Sequence, residues 1–190
     1  PDADTLAIVG SGVQARAHVR AISRVRKLRD VRLYSRDRGR GEAVADELSR
    51  ELELRVRAVD STAEAVRDAA VIATCTLSAE PVVRTGDLSA GATVISVGSF
   101  EPHRAEVDDR LVPSAASVVV DDVATAAEHA GPIITALRDG HITRERPRGL
   151  GAVLAGLTSG RDGDGDLVFY NSVGIGVQDA AAAHAVLGTL

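Results

Sequence analysis

Apolar and polar positions alternate between two patterns along the chain: short aliphatic, β-branched runs and longer stretches with helical spacing. Thr5 to Val9 (TLAIV) is one such run, followed at once by glycines, and it reads as a buried strand. Val13 to Leu28 has helical spacing and offers Val13, Ala17, Ala21, Val25 and Leu28 to one face. Val31 to Ser35 predicts a second strand and Arg40 to Leu52 a second helix. Arg55 to Val59 predicts a third strand, after which Ser61 is placed to cap a helix over Thr62 to Ala69. Ala70 to Thr74, Ala92 to Val97 and Ser117 to Val120 are further buried-strand candidates. Helices are predicted over Val123 to Arg138 and Leu150 to Leu157, then a last short strand over Leu167 to Tyr170. Ser172 to Leu187, glycine-led and then alanine-rich, predicts a terminal helix. Repeated strand–helix–strand units with near-continuous apolar strands predict an α/β fold, a doubly wound, mostly parallel sheet with helices on both faces.

Composition and charge sharpen this picture. A length of 190 residues suits one domain with a real core, and the 45% apolar, 2% aromatic make-up suits helices on a buried sheet. The net charge of −5 argues against a nucleic-acid partner. The cluster Arg16, Arg20, Arg24, Arg26, Lys27 and Arg29 reads as a solvated helix face. Cys75 is the only cysteine, which excludes an intrachain disulfide and fits a reducing cytoplasm. With no membrane-length apolar run and no leader pattern, neither membrane attachment nor export is expected. The chain starts at Pro1 and contains no methionine, so it is expected to be a processed or excised piece lacking an N-terminal portion.

The first candidate chemistry is Gly10-Ser11-Gly12-Val13-Gln14-Ala15, a G-x-G-x-x-A turn between a strand and a helix. Gly10 permits the tight turn, Gly12 lets backbone approach a diphosphate, and Ala15 allows close packing of helix on strand. The ligand would be held by unpaired N–H groups and the positive end of the helix dipole. A Rossmann-type dinucleotide site follows, spanning residues 1–190 as one NAD(P)-binding domain. At the end of the second strand, Ser35 stands where an NAD-selective site commonly carries an acid, and Arg36 and Arg38 could neutralise a 2′-phosphate. NADP(H) is therefore the expected preference, with NAD(H) possible if both arginines are merely solvated and Asp37 reads the ribose instead.

Seven segments, in order, carry a resemblance to a known family: Ile8 to His18 (IVGSGVQARAH), Tyr34 to Arg36, Ala73 to Val82, Gly91 to Asp108, Val119 to Asp122, Glu128 to Gly131, and Asn171 to Ala183. Together they resemble the ornithine cyclodeaminase/μ-crystallin family, which includes archaeal-type alanine dehydrogenases and ketimine reductases. The resemblance implies cofactor contacts at Val13 and Gln14, with Ser35 and Arg36 at the adenosine ribose. It further implies that Thr74 and Thr76 border the cofactor and that Ile95, Ser96 and Val97 line the nicotinamide side. Plain core packing is the alternative for Ile95 and Val97. Ser172 is implied to contact the cofactor and Val173 the substrate. It also implies that the catalytic residues, a basic Arg and Lys, lie in an N-terminal domain absent from this chain. Through that domain a homodimer would form. The substrate would be a small amino or imino acid.

One departure bears on the reaction. Cyclodeaminating members carry an Asp two positions after the glycine of Val97-Gly98, where this chain has Phe100. A phenyl ring cannot shuttle a proton, and adjacent Glu101 should point elsewhere. The resemblance thus implies an NAD(P)-dependent oxidoreductase of the alanine dehydrogenase or ketimine reductase type. A lyase with bound NAD and a non-catalytic NADPH-binding protein are the alternatives. Other constellations are weaker. Asp162-Gly163-Asp164-Gly165-Asp166 lacks the glycine and the bidentate Glu of a calcium loop, and the five histidines show no metal spacing, so no metal is expected. Asp121 and Asp122 end a strand, either ordering the cleft or capping the next helix. Cys75, between two threonines, reads as a small packed residue beside the cofactor, with a reactive thiol as the alternative.

Overall fold

In a computed structural model that describes residues 3–188, eight strands form one wholly parallel sheet in the order β3-β2-β1-β4-β5-β8-β6-β7. The strands are β1 (Thr5–Val9), β2 (Asp30–Tyr34), β3 (Val56–Val59), β4 (Val71–Thr74), β5 (Thr93–Ser96), β6 (Ser117–Val120), β7 (Arg148–Gly149) and β8 (Val168–Asn171). The helices are α1 (Val13–Val25), α2 (Arg38–Leu52), α3 (Thr62–Val66), α4 (Leu111–Ser114), α5 (Val123–His129), α6 (Gly131–Arg138), α7 (Leu150–Leu154) and α8 (Gly176–Leu187). This is the Rossmann-type architecture expected from the sequence. The chain runs outward from β1 to β3, then returns to start again at β4, so the winding reverses between β1 and β4. Open sheets of this kind bind ligands at that reversal, beyond the strand C-termini.

Alternation along the strands feeds two cores. From β1, Ala7 and Val9 pack with Ile72, Val94, Phe169 and the buried faces of α3 to α6, whereas Leu6 and Ile8 pack with α1 and α2. Caps fix the helix starts. Ser61 accepts from the Glu64 amide at 3.1 Å, as its position predicts, and Asp37 accepts from the Arg40 amide at 3.0 Å.

Five helix expectations need correction: α3 ends at Val66 rather than Ala69 and α7 at Leu154 rather than Leu157, and three further differences matter more. The buried face of α1 is Ala15, Val19 and the partly buried Ile22. The stripe Val13, Ala17, Ala21 and Val25 is exposed instead, Val13 at 82%. The helix predicted over Val123 to Arg138 is two helices. Pro132 supplies no amide hydrogen in the first turn of α6, and Gly131 packs so tightly on the distant loop after β5 that a Cβ would lie 2.0 Å from the Arg104 carbonyl oxygen. Finally, the terminal helix begins at Gly176, not Ser172, and none of its described residues is buried. The basic cluster divides: Arg16 and Arg20 pair with Glu47 and Glu51 of α2, while Arg24, Arg26 and Lys27 are exposed.

Candidate functional site

A cleft of about 650 Å³ opens at the C-terminal edge of the sheet, over the β1/β4 reversal. Its near wall is the glycine turn. Gly10 has φ +123°, a left-handed conformation that favours glycine, and a Cβ there would lie 2.5 Å from the Cys75 carbonyl oxygen. Gly12 caps α1 without any side-chain bond, and a Cβ on it would meet nothing within 4 Å. The first turn of α1 therefore faces the cleft with no side chain of the described residues bonded to its amides, which is the arrangement a diphosphate needs. Arg16 steadies the turn from behind, donating to the Ser11 carbonyl at 2.8 Å while its Nε engages Glu47 at 3.2 Å.

The far wall is built from the ends of β4, β5 and β8, and two buried carboxylates hold it. Glu106 is fully buried beneath the loops after β4 and β5. It accepts from the amides of Thr76 (2.6 Å) and Gly98 (2.7 Å) and from the hydroxyls of Thr74 (2.8 Å), Thr76 (2.8 Å) and Ser96 (2.9 Å). Asp121, also buried, accepts from the Tyr170 hydroxyl, from Ser172 Oγ at 2.9 Å, and from the amides of Val173 and Gly174 at 2.8 Å each. Burial and the adjacent Asp121 carboxylate both push the Tyr170 phenol upward, so it stays protonated as the donor. The two readings of the Asp pair divide between them: Asp121 orders the cleft, and Asp122 caps α5 through the Thr125 amide at 2.8 Å.

The structure brings some of the sequence-predicted residues together and not others. Gly12, Val13, Gln14, Thr76, Val97, Ser172 and Val173 line the cleft. Gly10 and Ala15 support the turn from below. Thr74 and Ser96 are fully buried and do not reach the cleft wall, because their hydroxyls hold Glu106. Ile95 also lies off the wall, in β5 and packed against the α1/α2 core. Ser35 sits apart at the end of β2, bonded to Ser11 Oγ at 2.8 Å and bordering a small recess with Arg38 and Asp60. Arg38 is paired with Glu42 and Asp60, whereas Arg36 is exposed beside Ser35. Phe100 lines the cleft. Glu101 does not; Arg104 (2.5 Å) and His103 (3.5 Å) hold it. Glu106 and Tyr170 are the residues sequence reasoning missed. Tyr170 lies near the end of β8, which is its only mark in the sequence, and Glu106, ten residues past β5, has none.

Cys75 borders the cleft but is mostly shielded. Burial, and then the charge of Glu106, push its thiol up to about 12. The thiolate is the reactive form, so at pH 8 iodoacetamide should alkylate the native protein roughly a thousandfold more slowly than the urea-unfolded chain. Mass spectrometry of timed samples checks this, and equal rates would refute it. The same shift costs stability in alkali. The folded state keeps a proton that the unfolded chain releases near 9.0, so the contribution falls as pH rises from there toward 12.

The chain is 35% identical over 184 residues to an "uncharacterized cyclodeaminase" of Sinorhizobium fredii, covering 96% of this chain and 55% of that protein. Among solved structures, Thermococcus litoralis Δ1-pyrroline-2-carboxylate reductase, in complex with NADH and L-proline, superposes with a TM-score of 0.92 at 28% identity, over 96% of this chain and 57% of that one. An archaeal alanine dehydrogenase dimer with bound NAD gives a TM-score of 0.90 at 28% identity, over 97% and 57%. The chain thus spans about half the length of the relatives it matches. The family model for the ornithine cyclodeaminase/mu-crystallin family matches residues 1–189, and the chain belongs to that family.

Proposed function

We propose that this chain is the cofactor-holding part of an NAD(P)-dependent oxidoreductase that interconverts a small imino acid and its amino acid. When bound, the nicotinamide supplies the hydride that joins the imine carbon. The chain's own task is alignment: α1 receives the diphosphate, Ser35 and Arg36 meet the adenosine ribose, and Thr76, Gly98, Ser172 and Val173 shape the reacting end. Substrate grip, the catalytic residues and a homodimer interface are assigned to residues outside this chain, in keeping with the half-length coverage of its relatives. A cytoplasmic location is part of the same reading.

The observation that carries the choice of reaction is Phe100 on the cleft wall, with Glu101 turned into an ion pair. A deaminating cyclisation needs a proton carrier where the phenyl ring stands, while reduction of a C=N bond needs only alignment from this side. The test is to incubate the full-length protein with NADPH or NADH and Δ1-pyrroline-2-carboxylate, or with pyruvate plus ammonia or methylamine, and to follow loss of the reduced cofactor. Consumption with at least one imine is expected. Proline formed from ornithine, with no cofactor consumed across the panel, would reverse the assignment in favour of a lyase. Ser35 in place of an acid, with an exposed Arg36 that makes no ion pair among the described residues, supports NADPH over NADH. Tighter NADH binding in the same protein rejects that preference.

A further inference from the structure

The two carboxylates of the far wall share an unusual electrostatic position. Glu106 receives five hydrogen bonds, all from amides and hydroxyls, and Asp121 four. An ionised carboxylate is acceptor-only, and such converging donors suit that form. The Thr76 hydroxyl accepts from the Ser78 amide at 3.2 Å, which leaves its single proton for Glu106. Among the described residues no Lys, Arg or His forms an ion pair with either group; Arg104, close by in sequence, is paired with Glu101. Dipoles stabilise these charges without cancelling them. Both lie one hydrogen bond behind the cavity, because Thr76, Gly98, Tyr170, Ser172, Val173 and Gly174 line the cleft and also donate to them.

The amides of the far wall are consequently turned inward to the carboxylates, whereas those of α1 face the cleft. One end of the cleft thus suits an anion and the other a cation. With a diphosphate at the glycine turn and the adenosine at β2, the remaining half of a dinucleotide would lie toward β4, β5 and β8.

We propose that Glu106 and Asp121 make this end of the cleft a cation-favouring pole. It would hold the oxidised, positively charged nicotinamide more tightly, relative to the neutral reduced form, than an uncharged wall would. Both are positioning residues that act through the loops they clamp and through their field. The inference rests on the dinucleotide reading given under Proposed function.

The test is titration of the full-length protein with NAD⁺ and NADH, and in parallel with NADP⁺ and NADPH, so that any effect of the 2′-phosphate cancels within each ratio. Glu106→Gln and Asp121→Asn remove one charge each. Ser99→Ala is the control, since Ser99 anchors the Glu106 amide at 2.9 Å and its loss loosens the same loop without removing charge. Each charge-removing variant is expected to raise the ratio of oxidised to reduced dissociation constants about fivefold. The control should leave the ratio at the wild-type value whatever happens to absolute affinity. A loss shared equally by both redox forms in Glu106→Gln and Asp121→Asn overturns the proposal and leaves only loop support. If one variant does not fold, the other decides alone. Wild-type protein that binds no dinucleotide would overturn the reading of the cleft itself, a separate and visible failure.

Discussion

Replacing Gly98 with alanine is expected to abolish dinucleotide binding and to lower stability by at least about 3 kcal/mol. A Cβ at this position would lie 1.8 Å from the Thr76 carbonyl oxygen and 2.8 Å from the Glu106 carboxylate. Neither neighbour can retreat. The carbonyl belongs to backbone fixed by the Thr76 amide bond to Glu106, and the carboxylate is held from five directions. The methyl group must therefore push apart the loops after β4 and β5, breaking the Gly98 bond and leaving a buried carboxylate short of donors. Urea unfolding compared with wild type measures the first effect and cofactor titration the second. A variant that unfolds at the wild-type midpoint would mean that the loops are far softer than their hydrogen bonding indicates.

Gly12→Ala should do the opposite: fold almost normally yet bind poorly. Gly12 has an ordinary φ of −83°, and its added Cβ would project into open space. The cost to folding is the small difference between glycine and alanine as helix caps, about 1 kcal/mol or less. That open space is where the proposed diphosphate would come against the α1 amides. A methyl group there is expected to weaken NAD(H) and NADP(H) binding tenfold to a hundredfold, the effect of about 1–3 kcal/mol of overpacking. Thermal unfolding and titration of the same preparation separate the two effects. Unchanged affinity would place the diphosphate elsewhere. Gly10, with positive φ and the Cys75 carbonyl against it, should lose stability as well when substituted, so the two glycines of one motif are distinguishable.

What the sequence made legible was local. A strand meeting a glycine turn, Ser61 before its helix, and the aliphatic β1 to β6 are all specified by neighbours in the chain. The buried face of α1 was not, because Val13-Ala17-Ala21-Val25 and Ala15-Val19-Ile22 repeat with nearly the same helical period. Only the position of β1 and β4 beneath the helix decides which stripe is covered. The break at Ala130 had a signal in Gly131-Pro132, but the reason for it is the Arg104 carbonyl against Gly131, a contact made by distant chain. Glu106 was the least legible. A lone glutamate looks solvated until β4, β5 and their loops converge on it, so the group that organises the far wall has no motif of its own. Thr74 and Ser96, which the resemblance places near the cofactor, supply hydroxyls that make that burial tolerable.

The insertion of β8 between β5 and β6 sets the order in which the chain can be completed. As the polypeptide emerges during synthesis, β1 to β5 can pair among themselves. Ser117–Val120 joins the growing sheet only through Val168–Asn171, and Arg148–Gly149 only through Ser117–Val120. Until those late residues arrive, Val118, Val119 and Val120 form an aliphatic edge with no permanent neighbour, the kind of segment that nascent chains stick through. No two adjacent strands are joined by a hairpin, so every pairing waits for a crossover, and such topologies assemble slowly. A ribosome halted short of Val168 would therefore release a chain with two orphaned strands, a natural target for chaperones and proteases.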